Sequence, residues 1–316
     1  MKIVVLDGYT INPGDLSWRG LERLGEVTCY DRTIEDTSEL LKRIGDAEIV
    51  ITNRTPISNE VLKLCSNLRF INVISTGADV VDAETAMECG ITLEVTAADG
   101  AYSTAQTTIA MLLEICHHIQ NHSDSVYRGD WESCEDFCYW LNPLTELYAK
   151  KIGVIGYDEA GQIISAIAKS MGMNVIVYDD VKTDDETDYV DIDVLVRESD
   201  VIVLNVLLPK TKKLINSNNI KKMKGNVTVI SITSSEFIDE AQLAEGLNSG
   251  RIGAAAIDIV STDNIRGDNP LLTAKNCIIT PRISWATREN RKRILDEVSL
   301  NIEKYLAEST INRNHS

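Results

Sequence analysis

The segment Lys151-Ile-Gly-Val-Ile-Gly156-Tyr157-Asp158-Glu159-Ala160-Gly161-Gln162 joins an apolar run, a glycine turn and the start of an amphipathic stretch. Asp179 closes the next apolar run, 18 residues beyond Gly161. A strand, a tight turn, a helix N-terminus and a second strand ending in an acid suit a dinucleotide. Its pyrophosphate rests on the helix amides, and the acid takes the ribose hydroxyls. The usual spacing is Gly-x-Gly-x-x-Gly, of which Gly156 and Gly161 are the first and third members. Asp158 stands at the second, where a missing side chain normally lets the backbone approach the phosphates. A carboxylate ~4 Å from a phosphate, at an effective dielectric of ~20, is repelled by about 4 kcal/mol, roughly a thousandfold in affinity. Glu159 adds a second like charge, and the helix dipole returns only about 0.3–1 kcal/mol. The loop therefore predicts a dinucleotide fold with an impaired cofactor site.

The elements around this loop alternate short β-branched runs with longer amphipathic segments, the pattern of parallel βα units. Expected strands are Ile3–Leu6, Val27–Tyr30, Glu48–Thr52, Phe70–Ser75 and Ile91–Val95, separated by helical stretches such as Thr37–Ile44. A long helix is expected over Ser103–Asn121, followed by an aromatic-dense segment without periodicity up to Tyr148. A second series of strands and helices begins at Lys151, and a helix over about Glu289–Ala307 ends the chain. Both halves read as doubly wound α/β domains, and 316 residues are enough for two cores.

Charge narrows the partners. With 31 Lys+Arg against 48 Asp+Glu the formal net charge is −17, which excludes a phosphate backbone or an anionic membrane surface as partner. The apolar run after Met1-Lys2 is too short for a signal segment or a membrane span. Seven cysteines without a Cys-x-x-Cys pair read as free thiols in a reducing compartment, so a cytoplasmic protein is expected.

Eight ordered segments resemble the D-isomer-specific 2-hydroxyacid dehydrogenases, in the glycerate dehydrogenase and hydroxypyruvate reductase branch. They include Asn53-Arg-Thr-Pro56, Ser75-Thr-Gly-Ala-Asp-Val-Val-Asp82, Asp136-Phe-Cys-Tyr-Trp140, Ala256-Ile-Asp-Ile259 and Ile279-Thr-Pro-Arg-Ile-Ser-Trp285. The resemblance implies a flavodoxin-like substrate domain at 1–99 and 287–316, with a Rossmann-type dinucleotide domain at 100–286 inserted between its parts. It further implies NAD as cofactor, no metal, and a homodimer formed through the dinucleotide domain and the Tyr127–Tyr148 arm. It places Gly156, Tyr157, Asp158, Glu159, Ala160, Gly161, Asp179, Val206, Ile232 and Asp258 at the cofactor. Gly77 and Ala78 fall at the substrate, and Arg54 could add a cation beside them.

The same resemblance exposes departures. Family chemistry moves a hydride between nicotinamide and a 2-keto or 2-hydroxy acid, using an Arg, a His and a Glu. Their positions correspond here to Ser234, Arg282 and Asp263. Serine brings no charge for a carboxylate, and an arginine cannot cycle a proton near neutrality. The four histidines offer no replacement: His315 lies in the tail, and His117, His118 and His122 lie at a helix end, where the family carries histidines without metal. The resulting expectation is a pseudoenzyme or repurposed paralogue with weak or no NAD binding. The alternatives are an active noncanonical oxidoreductase, or a lyase, on a small 2-keto or 2-hydroxy acid using Arg282 and Asp263, and a binding protein, either a metabolite sensor or a partner subunit of an active homologue.

Overall fold

The computed structural model describes residues 1–75, 79–97, 100–205, 213–232, 235–262 and 264–314. The chain divides into two compact units, Met1–Asp99 with Trp285–Ser316, and Gly100–Ser284. Ala98, Asp99 and His315 lie outside the described residues.

The first unit is built on β1 (Lys2–Val5), β2 (Glu26–Cys29), β3 (Ile49–Thr52), β4 (Phe70–Ile74) and β5 (Thr92–Thr96), all parallel, in the order β2-β1-β3-β4-β5. This is the flavodoxin-like order, and two parallel-sheet α/β domains are what the sequence pattern predicts. Strands covered on both faces must be apolar on both, which explains continuous runs such as Ile49-Val-Ile-Thr52. Alternate residues serve opposite faces. Val4, Val50, Ile71 and Val73 pack with α2 (Thr37–Ile44) and α3 (Asn59–Leu64), and the return to β5 runs through α4 (Ala83–Glu88). Ile3, Val5, Ile49, Ile51 and Phe70 take the other face, against the short α1 (Arg19–Glu22) and the C-terminal helix Arg288–Asn314. That helix buries Ile294, Leu295, Val298 and Ile302, and Phe70 meets the Tyr305 ring at 4.8 Å. The apolar i, i+4 and i+8 positions 294, 298 and 302 are why the chain's end belongs to this unit.

The second unit begins with α5 (Ala101–His117) and α6 (Ile119–Tyr127). The single helix expected over Ser103–Asn121 is broken at His118, whose φ of 48° is left-handed, so the chain changes direction there. Then follow β6 (Lys151–Ile155), α7 (Glu159–Ser170), β7 (Asn174–Tyr178), α8 (Ile192–Glu198), β8 (Val201–Leu204), α9 (Ser217–Lys222), β9 (Val227–Ser231), α10 (Glu240–Asn248), β10 (Ile252–Ile257) and β11 (Cys277–Ile279). All six strands are parallel, in the order β11-β10-β9-β8-β6-β7. One face packs on α5 and α7 through Ile152, Val154, Val203 and Ile230, the other on α8 and α10 through Ile155, Leu204, Val229 and Ile257. No helix among the described residues is long and apolar enough to cross a membrane.

The entry to the C-terminal helix is clamped. Arg291, 8% exposed, pairs with both carboxylate oxygens of Asp15 at 2.8 and 2.7 Å and donates to the carbonyls of Ile11 and Ala286. The hydrogen bond and charge of Arg291 hold the Asp15 carboxyl below the usual carboxylate range. A depressed carboxyl stabilises the fold above its unfolded pKa, and that contribution disappears as pH falls through the folded value. Arg291→Met should therefore lower the melting temperature by roughly 5 °C at pH 7, with a difference from wild type that shrinks below about pH 4. A pH-independent difference in thermal melts would contradict the pairing.

Candidate functional site

In an open parallel sheet, ligands sit outside the carboxyl ends of the strands where the strand order reverses. In the second unit that point lies between β6 and β8, and the glycine loop leaves β6 there. Gly156 has φ +94°, and its N–H is held by the Tyr178 carbonyl at 2.9 Å. A Cβ on Gly161 would lie 2.3 Å from the Gly156 carbonyl oxygen, so only glycine lets α7 close onto β6. Tyr157 turns inward, 9% exposed, edge-on to the Tyr189 ring, while its N–H donates to Asp179 Oδ2 at 2.6 Å. Asp179 thus fixes the turn from the end of β7. Ala160 is buried under the loop.

Asp158 does something the repulsion argument omitted. It is the N-cap of α7: its Oδ1 accepts from the Gly161 N–H at 3.0 Å and from Asn205 Nδ2 at 2.6 Å. The carboxylate is drawn back onto the helix and neutralised in part by its positive end. Glu159 follows in the first turn, where the dipole favours an acid, and is exposed. Glu159 and Ala160 are the first two residues of α7, whose N–H groups have no acceptor within the helix. Asn205 is a site residue that the sequence reading missed. It is 2% exposed at the end of β8, its N–H bonded to Ile155 O, and it ties the two strands of the reversal together. A polar residue closing an apolar run, Val201-Ile-Val-Leu204, is the signal that marks it.

The far strands build a second feature. Asp258, 2% exposed at the end of β10, accepts from Thr280 Oγ1, from the Ile283 N–H at 2.9 Å and from the Ser284 N–H at 3.0 Å. Its own carbonyl accepts from the Arg282 N–H at 3.0 Å. The acid thereby shapes the whole 280–284 loop and supports Arg282, half-buried, at a left-handed φ of 57°. A non-glycine residue held there signals a constrained position. Ile232 is buried, its N–H toward the Leu204 carbonyl. Val206, Ser234 and Asp263 lie outside the described residues, as do Gly77 and Ala78 in the first unit. There Arg54 is exposed on the loop after β3.

Two other candidates resolve differently. Both ring nitrogens of His122 are used within the protein, Nδ1 on the His118 carbonyl and Nε2 accepting from the Leu141 N–H, so this histidine pins the aromatic arm to α6. The cysteines are free, and burial pushes the Cys277 thiol up to about 11, away from thiolate chemistry.

Residues 109–284 match the family model of the D-isomer-specific 2-hydroxyacid dehydrogenase NAD-binding domain. The chain belongs to that family. It is 49% identical over 318 residues to a hydroxypyruvate reductase of Blautia hydrogenotrophica, covering 99% of each chain. It is 33% identical to a glycerate dehydrogenase of Methylorubrum extorquens, over 97% of this chain and 96% of that one. Among solved structures, the TT0316 protein of Thermus thermophilus superposes with a TM-score of 0.82 at 27% identity, covering 98% and 97% of the two chains. D-2-hydroxyisocaproate dehydrogenase superposes with a TM-score of 0.82 at 21% identity, covering 98% of each.

These relatives overturn the pseudoenzyme expectation. So close a match over the full length to a hydroxypyruvate reductase points to an active reductase. The physical error lay in treating Asp158 as a bare carboxylate facing the phosphates. As a cap it belongs to the helix. Asp158→Gly should leave NAD affinity within about threefold, where relief of repulsion would raise it on the order of a thousandfold. Asp158→Ala should destabilise the fold by about 1 kcal/mol through loss of the cap. Calorimetric titration and chemical denaturation read the two effects separately.

Proposed function

We propose that the protein reduces a small 2-keto acid of the hydroxypyruvate class, with NADH as the reductant. The observation that carries this reading is the identity of 49%, across 99% of both chains, to a hydroxypyruvate reductase. When bound, the dinucleotide supplies a hydride to the carbonyl carbon. The residues of the reversal point suit it: the first-turn amides of Glu159 and Ala160 would receive pyrophosphate, with Asp179 and Asp180 at the ribose. Two adjacent acids without an arginine disfavour a 2′-phosphate, hence NAD over NADP.

Arg282 would face the carbonyl oxygen. A fixed cationic donor stabilises the charge that develops there as the hydride arrives, and removing one such donor costs about 10²–10³ in rate. Asp263, the acid retained from the family set, would orient the guanidinium, and water would deliver the proton. An arginine keeps its charge through the working pH range. The reduction should therefore not decline between pH 6 and 8 as it would with a histidine acid. Turnover of hydroxypyruvate or glyoxylate at several per second is expected, with kcat about 100-fold lower in Arg282→Gln. Absence of NADH oxidation with both acids would overturn the reading.

The proposed partner is a second copy of the chain, joined through the aromatic arm. Tyr127 and Phe137 are 90% and 89% exposed, and Trp131, Trp140 and Tyr148 are also exposed, which leaves a large apolar surface to be covered. Free thiols throughout favour a cytoplasmic setting. Light scattering should give a dimer for the wild type and a monomer for Phe137→Ser with Trp140→Ser. A wild-type monomer at micromolar concentration would remove this proposal.

A further inference from the structure

Asp158 stands where the dinucleotide motif has its second glycine, and the buried Asn205 is set against it. Both belong to the second unit. Asn205 leaves β8 where the strand order reverses, and its N–H is bonded to the Ile155 carbonyl at 2.8 Å. Its side-chain nitrogen donates to Asp158 Oδ1 at 2.6 Å and to the Gly156 carbonyl at 3.4 Å. Both partners are acceptors, so the nitrogen of the amide, not the oxygen, faces the loop. The Gly161 N–H reaches the same Asp158 oxygen at 3.0 Å.

What this contact does follows from where Asp158 lies. The residue as a whole is exposed, on extended backbone just before α7 with φ −67° and ψ −173°. A turn about its Cα–Cβ bond separates the observed position from rotamers out over the loop, where a pyrophosphate would rest. Two donors oppose that turn. One is the helix amide that any capping side chain would use. The other is Asn205, fixed from the neighbouring strand and 2% exposed, so that water competes little for it. An apolar side chain at 205 would leave the inward carboxylate oxygen facing a group that cannot bond to it, and the unmet acceptor would favour the outward rotamers. There the charge meets phosphates of its own sign, screened only by salt.

We infer that Asn205 is a positioning residue for the dinucleotide: it holds Asp158 back on α7, and so lets a loop with an acid at the second glycine position accept a pyrophosphate. This rests on the proposed NADH-dependent reading. Asn205 acts through the charge of Asp158, so its effect must vanish when that charge is removed.

The test is a double-mutant cycle in the full-length protein, read by calorimetric titration with NADH at low salt. Asn205→Leu should weaken binding about tenfold, and Asp158→Asn by less than about threefold. The double variant should bind within about twofold of Asp158→Asn alone. Raising the salt to about 0.5 M should shrink the Asn205→Leu loss to about threefold or less, because exposed charges are then screened. A merely structural Asn205 would give the same loss in both backgrounds and at both salts. Either of those results overturns the inference, as does an unchanged affinity in Asn205→Leu. Should Asn205→Leu fail to fold, Asn205→Ala takes its place in the cycle, with the same expected and contrary outcomes. If the wild type binds NADH but turns over neither hydroxypyruvate nor glyoxylate, the reductase reading falls alone, and the cycle still decides the role of Asn205. If the wild type binds no NADH, both fall.

Discussion

A parallel strand covered on both faces has only its ends to offer for chemistry. Nearly all side chains along β3, β4, β6 and β8 are buried. What remains is the row of carboxyl ends, and the loops that leave them must be held still without secondary structure of their own. The protein does this with aspartates. Asp7, Asp179 and Asp258 each stand at or just beyond the end of a strand and accept N–H groups from a loop, and Asp158 caps the start of α7.

This arrangement gives part of the acid excess a structural meaning. A carboxylate that accepts two to four donors is well solvated by the protein, and its charge is spread over peptide dipoles rather than projected onto a ligand. Asp158 illustrates the difference. Counted as a charge beside a phosphate it argues against a cofactor. Counted as a helix cap, it is bonded to Gly161 and Asn205 and belongs to the helix. The membership of a dehydrogenase family and the close hydroxypyruvate reductase relative agree with the second account.

The loop after β10 and β11 fits the same view. Arg282 carries a permanent charge on a loop that is tightly held. Asp258 bonds to four residues of the loop, Thr280, Arg282, Ile283 and Ser284, and the backbone at Arg282 is held in a left-handed conformation.

The fold was legible in the sequence because it depends on period and composition: β-branched runs with apolar residues on both faces, amphipathic stretches between them, and Gly156 and Gly161 where only glycine fits. Gly161 in particular could be read directly, since its role is the absence of a side chain. The break at His118 could not, because a single left-handed residue leaves no mark in the apolar pattern of the sequence around it. Asn205 and Asp7 escaped for another reason. Their partners lie 47 and 46 residues away or more in the chain, and only the pairing of β6 with β8 and of β1 with β3 brings them together. Sequence alone determined which residues carry charge and which strands they end. Tertiary structure decided where each charge points, because the direction of a carboxylate is set by the donors that surround it, and those donors come from distant strands.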